Sequence, residues 1–592
     1  MKMRHALWKL ITYRPGLYGA DILAWISIFM AELGAGYIAK LFFDWVTDSG
    51  PAGFTLWSII ALVVAGGVVR ILTILAGALL DIRHRYTMGS LMHRNLLASI
   101  LARPGAASLN RSTGEALNTM RDDAMVMEDT ISWLIDQIGF TVYAGVALAI
   151  LLAIDARVTA IVVAPLLIVI VAARLVAKHI QRFRRASREA TERVTGAIGE
   201  AMEGVQTIQL ARAEKHVLSH IRELNKERLH ATVRDRLLSQ SFHSFFWNAA
   251  TLCKGLIMLA AAGSLRAGTF TVGDFALFVV YLDMVTEFFA HIGDYITMFK
   301  QSAVSLRRMF DLLQGAPARE LTQPADIYLR GELPAVPQPV RGPGDALERL
   351  QVQGLSFRYS SAAESESAAG SFALHDVSFT VGQGEFVVIT GRIGSGKSTL
   401  LKVLLGLLEP QAGAVHWNGA PVENPSTFFV PPRTAHAAQV PLLFSESLRD
   451  NVLLGLERSD EQILSAASLA VLEEDLAQMP EGLNTMLGVK GVRVSGGQRQ
   501  RIAAARALVR DTELLVLDDL SSALDVETEA ELWRRLFALE GRTFLVVSHR
   551  RPVLRRADRI VVLAQGRVEA TGRLEELLDS SAEMRRIWGA SG

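Results

Sequence analysis

Six stretches of about twenty apolar residues, at 20–43, 55–80, 131–154, 157–177, 243–265 and 271–298, limit the folds open to this chain more than any other feature of it. The hydrocarbon core of a bilayer is about 30 Å thick and takes roughly 20 helical residues to cross. In lipid every backbone N–H and C=O must find its partner inside the segment, so each stretch is expected to be a membrane-spanning helix. The joints agree. Arg83, Arg85, Arg94, Arg103, Arg111 and Arg121 lie between the second and third stretches, and Lys178, Arg182, Arg184, Arg185, Arg188, Arg193, Arg212 and Lys215 between the fourth and fifth. Cations collect on the cytoplasmic side, so these long joints read as cytoplasmic, and their pattern as spans running on beyond the bilayer as helices. Turns at 109–115 and 200–207 are candidates for touching another domain. The other joints, 47–51, Asp155-Ala156 and 267–269, are short, poor in Lys and Arg, and face outward. Both chain ends then lie in the cytoplasm, and the expected location is the cell (inner) membrane.

The rest of the chain is of another kind. Of 592 residues half are hydrophobic, and the mean hydropathy is +0.27, but the excess sits before residue 300. With a net charge of +1 and both signs abundant, nothing points to a nucleic-acid partner. The single cysteine, Cys253, excludes an intrachain disulfide. Residues 1–14 hold no separable signal peptide; Trp8, Leu10, Ile11 and Tyr13, mixed with Lys2, Arg4, Lys9 and Arg14, read as a helix lying on the membrane face. Pro317, Pro324, Pro334, Pro337, Pro339 and Pro343 mark a linker. The expected division is a transmembrane domain over 1–314, a linker over 315–346 and a soluble α/β domain over 347–592, in which 360–371 is a low-complexity hairpin tip.

Ionisable side chains at the centre of a span cost about 2.5–3.5 kcal/mol each on insertion scales, so they face protein or water. Arg70 lies deep in the second span and Lys254 in the fifth. Asp283, Glu287, His291 and Asp294 in the sixth are spaced 4, 4 and 3 residues apart, which places them on one helical face. Two readings stand: the polar wall of a substrate pathway, or interhelical ion pairing with Arg70 or Lys254.

In the soluble part, Glu385-Phe386-Val387-Val388-Ile389-Thr390 reads as a buried strand. It feeds Gly391-Arg392-Ile393-Gly394-Ser395-Gly396-Lys397-Ser398, and Thr399 opens the apolar pattern of a helix. Strand, glycine loop and helix together are the context a phosphate-binding loop requires. The glycines let backbone N–H groups curl around phosphate oxygens, and the helix N-terminus adds positive potential. Lys397 would reach the terminal phosphates of ATP and Ser398 would ligate Mg²⁺. A second apolar run, Leu514-Leu515-Val516-Leu517, ends in Asp518 and Asp519. Asp518 suits a Mg²⁺ ligand, directly or through water.

These residues carry a resemblance. Val494-Ser495-Gly496-Gly497-Gln498, followed by Arg499-Gln500-Arg501-Ile502-Ala503-Ala504-Ala505-Arg506-Ala507-Leu508 and placed just before the Asp518 strand, resembles the signature of ABC transporters, with Val494 for the usual Leu. The resemblance implies an exporter-type half-transporter: an all-α six-helix transmembrane domain with long cytoplasmic extensions, then an α/β P-loop nucleotide-binding domain. It implies that Tyr359 stacks on adenine, that Gln439 touches Mg²⁺ or water and couples to the membrane part, that 521–525 is the D-loop, and that His549 contacts the γ-phosphate. It also implies a second chain, with each ATP held between one chain's 391–399 loop and the partner's Ser495, Gly496, Gly497 and Gln498, in a cycle that alternates inward and outward access for an unidentified transported substrate.

The chain departs from the family pattern at two further places. Asp519 stands where the family usually has the glutamate that handles the attacking water; its carboxylate is one methylene shorter, and a general base needs hydrogen-bond reach. Val489 stands where exporters often carry a glutamate contacting the opposite chain. Export of an amphipathic molecule is the leading expectation. An exporter-shaped importer, for example of a metal chelate, and the slow-site subunit of a heterodimer are the alternatives.

Overall fold

A computed structural model of the chain describes residues 3–47, 53, 55–105, 112–266, 268–359, 373–488, 491 and 494–590, apart from some side chains between 162 and 179, between 242 and 260, and at 289–290. Residues 48–51 of the 47–51 joint, residues 109–111 of the 109–115 turn, the tip at 360–371, Val489 and the Cys253 side chain lie outside what is described. The chain divides into two compact units, one of Met1–Ser99 with Leu109–Leu329, the other of Ile100–Ser108 with Arg330–Gly592.

The first unit is helical: α1 Met3–Tyr13, α2 Pro15–Val46, α3 Leu56–Leu101, α4 Thr113–Asn118, α5 Ala124–Ile154, α6 Ala156–Glu203, α7 Val205–Leu210, α8 Glu214–Arg266 and α9 Val272–Leu312, with a π turn at Thr119–Asp123 before α5. All six apolar stretches fall within long helices. Pro15–Val46, Leu56–Leu101, Thr113–Ile154 and Val272–Leu312 are long and apolar enough to cross a membrane. The fourth and fifth stretches lie in α6 and α8. At 1.5 Å per residue, helices of 46, 48 and 53 residues are about 70–80 Å long, more than twice the hydrocarbon thickness. α6 and α8 pack along one another, joined by Ser187 to Thr232 at 3.1 Å and Arg193 to Glu227 at 2.9 Å. Their turn comes at Gly204, where the helix breaks, and at Arg212, whose φ is +52°.

α2, α5 and α9 form the core, with Phe29, Leu33, Phe140, Tyr143, Leu277 and Tyr281 buried among them. Over 63–75 of α3 the apolar side chains point outward instead, with Val63, Val64, Ile71, Leu72 and Leu75 all exposed, whereas Met88, Leu91, Met92 and Leu96 further along it are buried. The N-terminal helix forms where the sequence suggests it, with Trp8 exposed. Ala6, Leu7, Leu10 and Ile11, however, are buried in protein, so most of its apolar face is not available to lipid. Tyr13 donates to the carbonyl of Ala325 at 2.6 Å and the Asn95 amide to those of Leu321 and Gln323 at 3.1 and 2.9 Å. The start of the proline-rich stretch is thus held to the first unit, while Arg341, paired with Glu513 at 3.2 Å, holds its later part to the second.

Among its described residues the second unit has ten strands: β1 Arg349–Phe357, β2 Leu374–Gly382, β3 Phe386–Thr390, β4 Ala412–Trp417, β5 Ala420–Pro421, β6 Thr434–Ala437, β7 Leu514–Asp518, β8 Thr543–Val547, β9 Arg559–Ala564 and β10 Arg567–Gly572. An antiparallel sheet runs β2-β1-β4-β5, and a second sheet runs β10-β9-β3-β8-β7-β6. β3, β7 and β8 pair in parallel and are buried at every residue, which is why they read as continuous apolar runs rather than alternating ones. Cores fill both faces of this sheet, around Leu515, Leu517 and Trp533 on one side and Leu400, Leu404 and Val516 on the other. The loops that leave the C-terminal ends of β3, β7 and β8 meet in one crevice, the usual ligand position of a parallel sheet.

Candidate functional site

At that crevice lies a cavity of about 900 Å³, lined by Gly391, Arg392, Gly394, Gly396, Lys397, Ser398 and Thr399, together with Gln439, Asp518, Asp519, Val547 and His549, and by Arg586 and Ile587 from the helix Ala582–Ala590. The glycine loop needs its glycines for space as well as for freedom. Gly396 has φ +100°, and a Cβ there would sit 2.7 Å from the carbonyl oxygen of Ala373; on Gly391 it would sit 2.3 Å from that of Leu563. Gly396 caps the helix Lys397–Leu404, so free N–H groups at its start face the cavity.

Lys397 is folded onto its own loop. Its ammonium donates to the carbonyls of Gly391 at 2.6 Å and Arg392 at 2.8 Å. Burial holds its pKa below the usual lysine range, against the opposing pull of Asp519, Asp518 and Glu583. The Ser398 hydroxyl donates to Asp518 Oδ1 at 3.2 Å. Asp518 is buried, and that burial pushes its carboxyl up; the Ser398 bond lowers it and the charge of Asp519 adds to the rise.

Asp519 turns the chain off β7 with φ +48°, and its N–H donates to the Val547 carbonyl at 3.0 Å. Its Oδ2 accepts from Gln439 Nε2 at 3.2 Å, while its Oδ1 is buried with no partner. A serine–carboxylate pair of oxygen donors and an orphaned carboxylate oxygen, beside a glycine cradle, fit a divalent cation held with polyphosphate.

Not every residue named by the motifs enters this cavity. Tyr359 stands beside it: its hydroxyl is 3.2 Å from Thr399 Oγ1 and its ring meets Phe357 edge-on at 4.9 Å. Ser495, Gly496, Gly497 and Gln498 lie elsewhere. Ser495 caps the helix Gly496–Leu508 in a reciprocal box with Gln498, and the Gln498 amide donates to Asp475 at 2.8 Å. Gln500 carries no role in the sequence reading, yet it is buried and ties three segments: its Nε2 donates to the Gln439 carbonyl at 3.2 Å and to Ser522 Oγ at 2.7 Å, and its Oε1 accepts from Ala523 N at 2.9 Å. Only its place in the quoted string pointed to it. Arg586 and Ile587 belong to no motif, and nothing in their neighbourhood of the sequence marks them.

In the helical unit, Lys254 pairs with Asp283 at 2.8 Å. Arg70 pairs not with the sixth-span face but with Glu32 of α2, at 2.7 Å, a residue the spacing argument passed over. His291 stacks on Phe140, ring centroids 4.7 Å apart. Glu287 lies half-buried on the same continuous helix, α9, and Asp294 is exposed on it.

Comparison with known proteins agrees with this architecture. Residues 374–522 match the model of the ABC transporter family, and residues 22–288 that of the ABC transporter transmembrane region. An ATP-dependent lipid A-core flippase of Burkholderia pseudomallei (strain 1710b) is 30% identical over 423 residues, 70% of this chain and 67% of that protein. One of Bordetella avium (strain 197N) is 26% identical over 586 residues, 97% of this chain and 94% of that one. A probable multidrug resistance ABC transporter ATP-binding/permease protein of Bacillus subtilis (strain 168) is 31% identical over 399 residues, 66% and 64% of the two chains. The solved structure of a bacterial Atm1-family ABC exporter with ATP bound aligns with a TM-score of 0.75 over 98% of both chains at 20% identity, a likeness of fold. The chain therefore belongs to the ABC transporters, with the transmembrane region and one nucleotide-binding domain of an exporter-type half-transporter in a single polypeptide.

Proposed function

We propose that this chain, paired with a second half-transporter, uses ATP hydrolysis to export an amphipathic small molecule, peptide or lipid across the cytoplasmic membrane by alternating access. The observation that carries this reading is the division of motifs between two places. Lys397, Ser398, Gln439, Asp518, Asp519 and His549 share one cavity, whereas the 495–498 signature lies outside it. A site with half its expected parts on another surface fits completion by a partner's signature. That relatives are named lipid A-core flippases and a probable multidrug resistance transporter favours an amphipathic substrate.

In this reading Lys397 swings from its loop carbonyls to the terminal phosphates. Ser398 and Asp518 hold Mg²⁺, which when bound screens phosphate charge. Asp519, whose Oδ1 is unpartnered, accepts the proton of the attacking water, with Gln439 fixing the other carboxylate oxygen. His549 contacts the γ-phosphate, and Tyr359 supplies a stacking face for adenine. The cytoplasmic side of the long helices carries the motion to the spans, whose polar face (Asp283, Glu287 and His291, with Lys254 and Arg70 nearby) lines the substrate path.

ATPase activity of the purified chain in detergent tests the reading: wild type hydrolyses ATP and Lys397→Ala does not. Equal rates for the two would overturn it. ATP-dependent accumulation of a fluorescent amphiphile in inside-out vesicles tests direction; efflux instead would mean import. Asp519 supports a second reading. Its shorter side chain suits a slow site, and the chain would then serve as one member of a heterodimer whose other site fires faster. A stable, ATP-hydrolysing dimer of this chain alone would exclude that.

A further inference from the structure

The helix Ala582–Ala590 lies far from every nucleotide motif in sequence, yet it is fastened to the two loops that matter most for the reaction proposed above. Its start is fixed to β10: Ser581 Oγ donates to Glu569 Oε1 at 2.9 Å and accepts from Met584 N at 3.0 Å, capping the helix. In its first turn Glu583, only 4% exposed, accepts from Arg392 Nε at 2.6 Å. Arg392 belongs to the glycine loop, and its own carbonyl accepts both the Ser395 N–H at 3.1 Å and the Lys397 ammonium at 2.8 Å. A carboxylate on the last helix thus holds the residue whose backbone holds Lys397. At the far end of the same helix, the Trp588 carbonyl accepts from Arg551 Nη2 at 2.9 Å. The guanidinium groups of Arg551 and Arg555 lie 5.1 and 5.5 Å from the centre of its ring. Arg551 is two residues past His549 and opens the short helix Arg551–Arg556. Between the two fastenings Ile587 lines the cavity.

We propose that this helix is a strut of the nucleotide site, with Glu583 a positioning residue for the glycine loop through Arg392, and Trp588 a positioning residue for His549 through Arg551. The two ends act on different steps. Glu583 shapes the cradle that binds the phosphates, so it governs nucleotide affinity. Trp588 sets the segment whose histidine meets the γ-phosphate, so it governs turnover. The proposal rests on the reading of this cavity as an ATPase site.

The experiment is steady-state ATPase of the full-length protein in detergent with Mg-ATP, resolving KM from kcat, and thermal melting of each variant to establish that it folds. Glu583→Gln is expected to raise KM about threefold to tenfold, the range of a partly exposed charged hydrogen bond, with kcat within twofold of wild type. Arg392→Gln should do the same, and the double variant should be no worse than either single one, since both remove one link. Trp588→Leu should lower kcat about threefold to tenfold with KM within twofold, and Trp588→Phe should recover most of it by restoring a ring for Arg551 and Arg555. The proposal is overturned by a wild-type KM in Glu583→Gln, by effects of Glu583→Gln and Arg392→Gln that multiply, or by a Trp588→Leu enzyme with unchanged kcat. Lys397→Ala separates the two levels. If it hydrolyses ATP normally the ATPase reading itself falls, whereas if it is dead and Glu583→Gln is wild-type the strut alone falls.

Discussion

The two units solve opposite solvent problems with the same side chains. In β7 of the soluble unit Leu515 is 4% exposed, and the strand gives both faces to protein. In α3 of the helical unit Ile71 is 60% exposed, and its apolar neighbours point outward with it. An outward apolar stripe is a liability in water and the stable arrangement in lipid, where apolar burial between helices has little driving force. The polar groups reverse accordingly. Arg70 and Lys254 are each held to an acid of another helix, Glu32 and Asp283. In the soluble unit, by contrast, the charged groups of interest gather around a cavity and keep one orphaned oxygen, on Asp519, and one partly desolvated ammonium, on Lys397. The helical unit does not pair every charge, since Asp21 is fully buried with both carboxylate oxygens unpartnered; what sets the proposed catalytic cavity apart is that its imperfectly satisfied groups lie where a ligand can complete them.

The largest test of that contrast falls on the cavity. Lys397→Ala should cost about 10²-fold or more in ATPase if, as proposed, its ammonium meets the developing phosphate charge; residual activity near wild type would remove the cavity from the reaction. Asp519→Asn should follow, with a loss of about 10- to 100-fold. That is at or below the lower end of the usual range for a general base, as suits a short carboxylate. Asp519→Glu should equal or exceed wild type. If Asp519→Asn matched wild type, Asp519 would not handle the water, and the orphaned Oδ1 would need another explanation.

Much of this was legible in the sequence, and the physical reason is locality. The strand–glycine loop–helix unit and the Asp518-Asp519 strand end are written in consecutive residues, so their chemistry reads directly. The apolar stretches were legible for the same reason, since a span is a local property of about 20 residues. What could not be read were links between distant segments. Arg392 and Glu583 are 191 residues apart, and Gln500 ties Gln439 to Ser522 and Ala523 with no periodicity to announce it. Helical spacing placed Asp283 and Glu287 on one face, but it says nothing of the neighbouring helix, so it could only offer Arg70 or Lys254 as ion-pair partners; Lys254 does pair with Asp283, and Arg70 pairs instead with Glu32, which the spacing passed over. The N-terminal helix shows the same limit: its apolar face was plain, but not that Leu10 and Ile11 would be buried in protein.

A paired substitution sharpens the contrast between the units at the level of stability. Leu515→Ala should cost about 2–5 kcal/mol, the range for emptying a packed core site. Ile71→Ala removes similar chemistry from an outward face, where detergent or lipid refills the space, and should cost a small fraction of that. Chemical denaturation of the two variants in the same detergent gives the comparison. Equal losses would mean that Ile71 is packed against protein in the assembled transporter.

The smallest expected effect concerns Asp518, where the sign is the informative part. Burial raises its carboxyl above the ordinary 3.8, so the folded state binds this proton more tightly than the unfolded chain does. Its contribution to stability is fully present below pH 3.8 and is lost as pH rises from there through the raised value. Above the raised value the nucleotide-free protein carries a desolvated carboxylate, only partly compensated by Ser398, Lys402 and Lys397. Asp518→Asn removes that charge while keeping an acceptor for Ser398, so it should raise the melting temperature of the nucleotide-free protein at pH 7 slightly, by about the equivalent of 1 kcal/mol or less. The gain should shrink as pH falls toward 4, and Mg-ATP should no longer stabilise the variant as it does wild type. A variant less stable than wild type at pH 7 would mean that Asp518 already repays its burial through its neighbours, and that the cavity, like the Arg70–Glu32 and Lys254–Asp283 pairs, satisfies its charges before any ligand arrives.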